Sequence, residues 1–197
     1  MNSDIVKALC LQYWRYEKQT VVVALEADGM DVACIKNRYL VETEVKISIA
    51  DLKKDAEKEK HFRIRKLLGL PVDGIVSAPF SAHQFHALHE DVDWIKKWFH
   101  VHQYYFAVPD DICDKALTVI NDIYPYAGLL KARLYRVPNS YTYGAVDLVK
   151  TPERIPVNRM DFQQVVGMVK AQSATLTRLA LKVGRDKMSQ IVPNEEV

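Results

Sequence analysis

The clearest alternation of apolar and polar positions in the chain runs over residues 39–48. At a period of two, Val41, Thr43, Val45 and Ile47 share one face of a strand, and Glu42, Glu44, Lys46 and Ser48 share the other. A β-branched run predicts a strand over 20–25, and a second strand over 30–35 follows the breaker Ala27-Asp28-Gly29. Ahead of these, Ile5, Leu9, Tyr13 and Tyr16 recur at helical spacing, which predicts a helix capped by Ser3 or Asp4 and running to about residue 18. Ser48, with Asp51 three residues on, resembles a capping box and opens a charged helix over 49–68 that stops at Gly69-Leu70-Pro71.

Residues 70–102 hold Gly74, Pro79 and a histidine-rich patch, and read as an insertion or loop region with a short helix over 91–99. A strand over 104–108 ends at Pro109, and Asp110 or Asp111 caps a helix to about residue 124. Strands follow over 129–137 and 145–149, and a last long helix spans 161–183. The order predicts an α/β fold with a mixed sheet and an early antiparallel meander, one domain over 1–184, and a frayed tail over 185–197.

Composition narrows this picture modestly. A chain of 197 residues that is 49% hydrophobic can bury a full core. The net charge of +2 is compatible with a nucleic-acid partner but does not argue for one by itself. The positive charge is local, with Lys53, Lys54, Lys58, Lys60, Arg63, Arg65 and Lys66 crowded together. Within that run, Lys54, Lys58 and Arg65 are the candidates for phosphate contact. Cys10, Cys34 and Cys113 are too scattered for a disulfide framework or a zinc knuckle, and no apolar run approaches the roughly 18 residues of a membrane span. A cytoplasmic protein with no membrane partner is the expectation. His83, His86 and His89 do not gather on one helix face and have no cysteine pair beside them, so they read as loop histidines rather than zinc ligands.

The polar face of the 39–48 strand carries the chemistry. Two carboxylates in a row repel unless a cation intervenes. If Asn37-Arg38 centres a tight hairpin, Lys36 faces Tyr39, Cys34 faces Val41, and Asp31 falls opposite Glu44. Side chains so opposed start about 4.5–5.5 Å apart, close enough for two carboxylates to share one hard cation. Lys46 lies on the same face about 6.6–6.8 Å further on, within reach of a phosphoryl oxygen. A cation, a polarised phosphate and an ammonium beside developing negative charge are what phosphodiester hydrolysis requires.

Asp31, followed after twelve residues by Glu44-Val45-Lys46, resembles the signature of the PD-(D/E)XK nuclease superfamily. The longer string Glu44-Val45-Lys46-Ile47-Ser48, then Asp51, Asp55 and Lys60-His61, is similar to the MmcB-like DNA-repair proteins and to related phage and prophage proteins. Tyr104-Tyr105-Phe106-Ala107-Val108-Pro109 and Tyr126-Ala127-Gly128-Leu129-Leu130 extend the likeness, which covers roughly residues 1–135. Met30 stands where the superfamily name has proline. The resemblance implies a restriction-endonuclease-like αβββαβ core, to which the chain adds a C-terminal helix. It also implies a DNA partner and Mg²⁺ or Mn²⁺ held by Asp31, Glu44 and the Val45 carbonyl, with Glu26 as a further ligand and Lys46 beside the attacking water. Glu42 and Ser48 would support the site, and a homodimer would pair two sites for two strands. Two other classes stay open: a DNA-binding protein of this fold that does not cut, and a phage interaction module using 70–102 as its contact surface.

Overall fold

A computed structural model describes residues 1–20, 22–27, 29–72, 90–136, 142–170 and 173. Six strands form one mixed sheet in sequential order: β1 Val22–Ala27, β2 Met30–Lys36, β3 Tyr39–Val45, β4 Val101–Pro109, β5 Gly128–Arg136 and β6 Thr142–Lys150. The β1–β2–β3 meander is antiparallel, β4 runs parallel to β3, β5 runs parallel to β4, and β6 returns antiparallel. A parallel neighbour needs a long crossover. Between β3 and β4 it contains α2 Ile49–Lys54, α3 Glu59–Leu68 and α4 Val92–Trp98.

Alternation along the strands sorts the core into two sides. Tyr104, Phe106 and Val108 of β4 join Leu52, Ile64, Ile95 and the apolar face of α5 Cys113–Ile123. Tyr105 and Ala107 join Val6, Leu9, Cys10 and Trp14 of the N-terminal helical segment, α1 Ser3–Gln12 with its π-turn Tyr13–Glu17. The sheet therefore lies between two helical layers, an α/β architecture with both faces covered.

Several boundaries differ from the expectations. Asn2, rather than Ser3 or Asp4, caps α1 by accepting the Ile5 N–H at 3.0 Å. β1 begins at Val22, and β4 begins at Val101, inside the stretch read as insertion; residues 73–89 of that stretch, with His83, His86 and His89, lie outside the described residues. Asp110–Ile112 form a 3₁₀ turn, and α5 starts without a side-chain cap. The expected 49–68 helix is broken: α2 passes into the 3₁₀ turn Asp55–Glu57, and Lys58 is extended at φ −73°, ψ 138° before α3 begins. No proline or glycine causes the break; it turns Asp55 inward, where buried partners receive it. The last helix is described over 162–170, and the tail lies outside the described residues. Among the described residues, no helix is long and apolar enough to cross a membrane.

Candidate functional site

The β2–β3 hairpin has the expected register over Lys36↔Tyr39, Cys34↔Val41 and Ala33↔Glu42, but its ladder ends at Val32↔Thr43, short of the expected Asp31–Glu44 pair. Asn37 and Arg38 both take positive φ (53° and 64°), as a tight primed turn requires. That register sends Glu42 and Glu44 to the face under α2 and α3. On that polar face Glu42, Glu44 and Lys46 are each at most 5% exposed, while Ser48 beyond the strand's end is exposed.

Charges taken out of water need partners. Glu44 Oε1 accepts from Lys46 Nζ at 3.1 Å and from Lys58 Nζ, and Oε2 accepts from Lys60 Nζ at 2.8 Å. Lys60 also reaches Glu42 Oε1 at 2.6 Å. Lys46 and Lys58 each approach Asp55 Oδ1 at 2.6 Å. Three buried carboxylates thus meet three ammonium groups at the end of β3, and a fourth, exposed carboxylate, Asp51, lies 3.7 Å from Lys46 Nζ. Burial drives the Glu44 carboxyl upward, but Lys60 and Lys58 reverse the effect and leave it below the ordinary value. Burial outweighs Lys60 at Glu42, which is raised.

Asp55 was not identified as a site residue, yet it closes the cluster. Its signal was present in the sequence, since it follows Leu52 by three positions and precedes Ala56, both buried on the same face. His61 is buried. Burial pushes its imidazole down to about 4 against the upward pull of the Asp55 hydrogen bond. The neutral ring therefore donates from Nε2 to Asp55 Oδ2 (2.7 Å) and accepts at Nδ1 from the Tyr126 hydroxyl (2.6 Å). Burial opposes the charge on Asp55, while hydrogen bonds from His61, Lys46 and Lys58 hold it well below the usual carboxylate range.

Asp31 belongs to a neighbouring set. Its Oδ2 accepts the Val45 N–H at 2.8 Å, and Oδ1 pairs with Lys7 Nζ of α1 at 2.9 Å. Lys7 also pairs with Glu26 at 3.0 Å; Glu26 takes a strained φ of +50° and is exposed. Asp31 and Glu44 thus flank Val45 but pair with different lysines. Among the described residues, no group of three or more His, Cys, Asp or Glu side chains is placed to hold a metal ion. The donors are hard oxygens of the type Mg²⁺ prefers. In this arrangement, however, ammonium groups neutralise Glu44 as a dication would.

The remaining candidates separate. Ser48 caps α2, its Oγ accepting the Asp51 N–H at 3.1 Å. Lys54 is exposed. Arg65 is buried and gives its guanidinium to the carbonyls of Pro71 and Ile123, so it braces α3 instead of facing a phosphate. Trp94 and Trp98 are 45% and 59% exposed.

Fold and site together define an α/β protein with a mixed six-stranded sheet and a largely buried cluster of carboxylates and ammonium groups at the end of its third strand. No family model, curated protein or solved structure matches the chain.

Proposed function

We propose that this chain is a metal-dependent nuclease of the restriction-endonuclease-like type, hydrolysing DNA phosphodiester bonds with Glu44, Lys46 and Asp31. One observation carries the reading: Glu44 and Lys46 are buried side by side at the end of β3, with the Asp31 carboxylate on the backbone N–H between them. Perturbed and costly charges of this kind concentrate at functional sites. A further support is the sequence of the antiparallel meander β1–β3, a helical crossover and the parallel β4, which is compatible with an αβββαβ core.

Asp31, Glu44 and the Val45 carbonyl would hold the ion. Bound Mg²⁺ or Mn²⁺ would polarise the phosphate and generate a nucleophile at neutral pH. Lys46 donates to Glu44, pairs with Asp55 and lies 3.7 Å from the exposed Asp51, and its ammonium would turn toward a phosphoryl oxygen as negative charge builds. Asp55 fixes the Lys46 ammonium in place, and His61 and Tyr104 in turn hold Asp55. Lys58, whose side chain is 46% exposed, can leave Glu44 for solvent or for the DNA backbone.

A second reading is favoured by the three ammonium groups already on Glu44: a protein of this fold that binds DNA without cutting it. Incubating the protein with single- and double-stranded DNA under Mg²⁺, Mn²⁺ or EDTA separates the two. The nuclease reading expects cleavage that needs metal and falls at least a hundredfold in Lys46→Ala. Salt-dependent binding with no cleavage under any metal would replace it with the second reading.

A further inference from the structure

Lys58 shares both of its carboxylate acceptors with another lysine. Glu44 Oε1 and Asp55 Oδ1 meet the Lys46 ammonium at 3.1 and 2.6 Å, and the same two oxygens meet the Lys58 ammonium, 2.6 Å from Asp55 Oδ1. Two like charges on one pair of oxygens repel each other. The lysines around Glu44 differ in their access to water. The side chains of Lys46 and Lys60 are 6% and 16% exposed, whereas that of Lys58 is 46% exposed. We propose that Lys58 is a substrate-operated latch: a DNA phosphate draws its ammonium off Glu44 and Asp55, and so couples DNA binding to cation binding at Glu44. The inference rests on the proposed nuclease function and adds the regulation of that same centre.

Three features allow this side chain to move without disturbing the fold. The first is its backbone. Lys58 is extended between the 3₁₀ turn Asp55–Glu57 and α3, and its own N–H and C=O are fixed by Asp55 O at 3.0 Å and the His61 N–H at 3.1 Å. Its side chain caps no helix, so release requires rotation about side-chain bonds and leaves both helical elements intact. The second is what remains behind. A buried carboxylate stripped of its partners is strongly unfavourable. Here Glu44 keeps Lys46 and Lys60, and Asp55 keeps Lys46 and His61, so neither is stranded when Lys58 departs. The third is the neighbourhood in the chain. Lys53 and Lys54, at the end of α2, are also exposed, and a phosphate chain attracted by them competes for an ammonium only a few residues away. With Lys58 gone, Glu44 loses one of the positive charges that oppose a dication. Linkage makes the effect reciprocal: DNA raises the affinity for the dication by the factor by which the dication raises the affinity for DNA.

The test titrates the full chain with Mn²⁺ by calorimetry, alone and bound to a short DNA duplex whose phosphorothioate linkages slow cleavage, with the heats of Mn²⁺ and duplex alone subtracted. The wild type should bind Mn²⁺ at least about fivefold more tightly in the presence of the duplex. Lys58→Met should bind Mn²⁺ more tightly than the wild type without DNA, and should lose most of the gain that DNA confers. Lys58→Gln, uncharged but still a donor, should behave in the same way and replaces Lys58→Met if that variant melts early. Lys54→Met should weaken DNA binding yet keep the gain. An equal gain in the wild type and both Lys58 variants, or no gain in the wild type, would overturn the latch. Cleavage of an unmodified duplex, followed beside the titration, separates this result from the nuclease reading. Cleavage with equal gains removes the latch and leaves the nuclease. The expected gains without cleavage keep the latch in a protein that binds DNA without cutting it, and no Mn²⁺ binding with or without DNA removes both.

Discussion

Lys58 and Lys60 set the behaviour of the site residue by residue. Each ammonium on Glu44 stabilises a buried carboxylate that would otherwise be costly, and each would have to be displaced or shared for the proposed dication to bind. His61 gives a separate handle. An imidazole whose folded pKa lies below its unfolded value takes up a proton on unfolding. Its contribution to stability is therefore complete above pH 6.5 and is lost as the pH falls toward about 4. That interval corresponds to about 3 kcal/mol. Thermal unfolding of the wild type should show this loss between pH 6.5 and 4, and His61→Asn should lack the His61 part of it. Equal pH slopes in the two proteins would remove His61 from the linkage. The alternation of 39–48 made Glu44 and Lys46 legible in the sequence, because period two fixes which side chains share a face. The ammonium partners were less legible. Lys58 and Lys60 stand in a run of charges that looks like a solvated helix face, and only tertiary packing turns them onto Glu44.

Among the elements, the hairpin was the most legible, since a two-residue turn at Asn37-Arg38 fixes the pairings from Lys36↔Tyr39 back to Val32↔Thr43; the expected Asp31–Glu44 pair beyond them is not made. The start of α2 was also visible in Ser48. Because Ser48 Oγ caps the helix, Ser48→Ala should cost about 1 kcal/mol in chemical denaturation and leave DNA cleavage within a fewfold of wild type. A large loss of cleavage at unchanged stability would instead place Ser48 in the chemistry. The break between α2 and α3 was invisible to periodicity. It lies in a stretch without proline or glycine, and what fixes it is the burial of Asp55 among Lys46, Lys58 and His61. The Tyr124 hydroxyl adds to this by donating to the Leu52 carbonyl at 2.6 Å, which pins the end of α2 against α5. Local propensity has no access to such partners.

At the scale of the molecule, a sheet covered on both faces leaves function to the ends of its strands and to the openings between layers. The charge cluster and a cavity of about 510 Å³ occupy adjoining places there and share Glu42 and Lys60. With a net charge of only +2, the proposed DNA affinity would have to come from a few local lysines. A site making about three phosphate contacts loses roughly fortyfold in affinity between 50 and 200 mM salt. Fluorescence anisotropy across that range should show a loss of this order, with a shallower slope in Lys54→Ala; an affinity indifferent to salt would argue against a DNA partner. The most direct measurement of the site itself is a calorimetric titration with Mn²⁺ of the wild type, Asp31→Asn, Glu44→Gln and Lys58→Met. The wild type should bind one ion, the two carboxylate variants should lose at least tenfold in affinity, and Lys58→Met, freed of a competing ammonium, should bind more tightly. Absence of Mn²⁺ binding in the wild type, or undiminished binding in Glu44→Gln, would contradict the assignment of a metal-dependent nuclease centre to the end of β3.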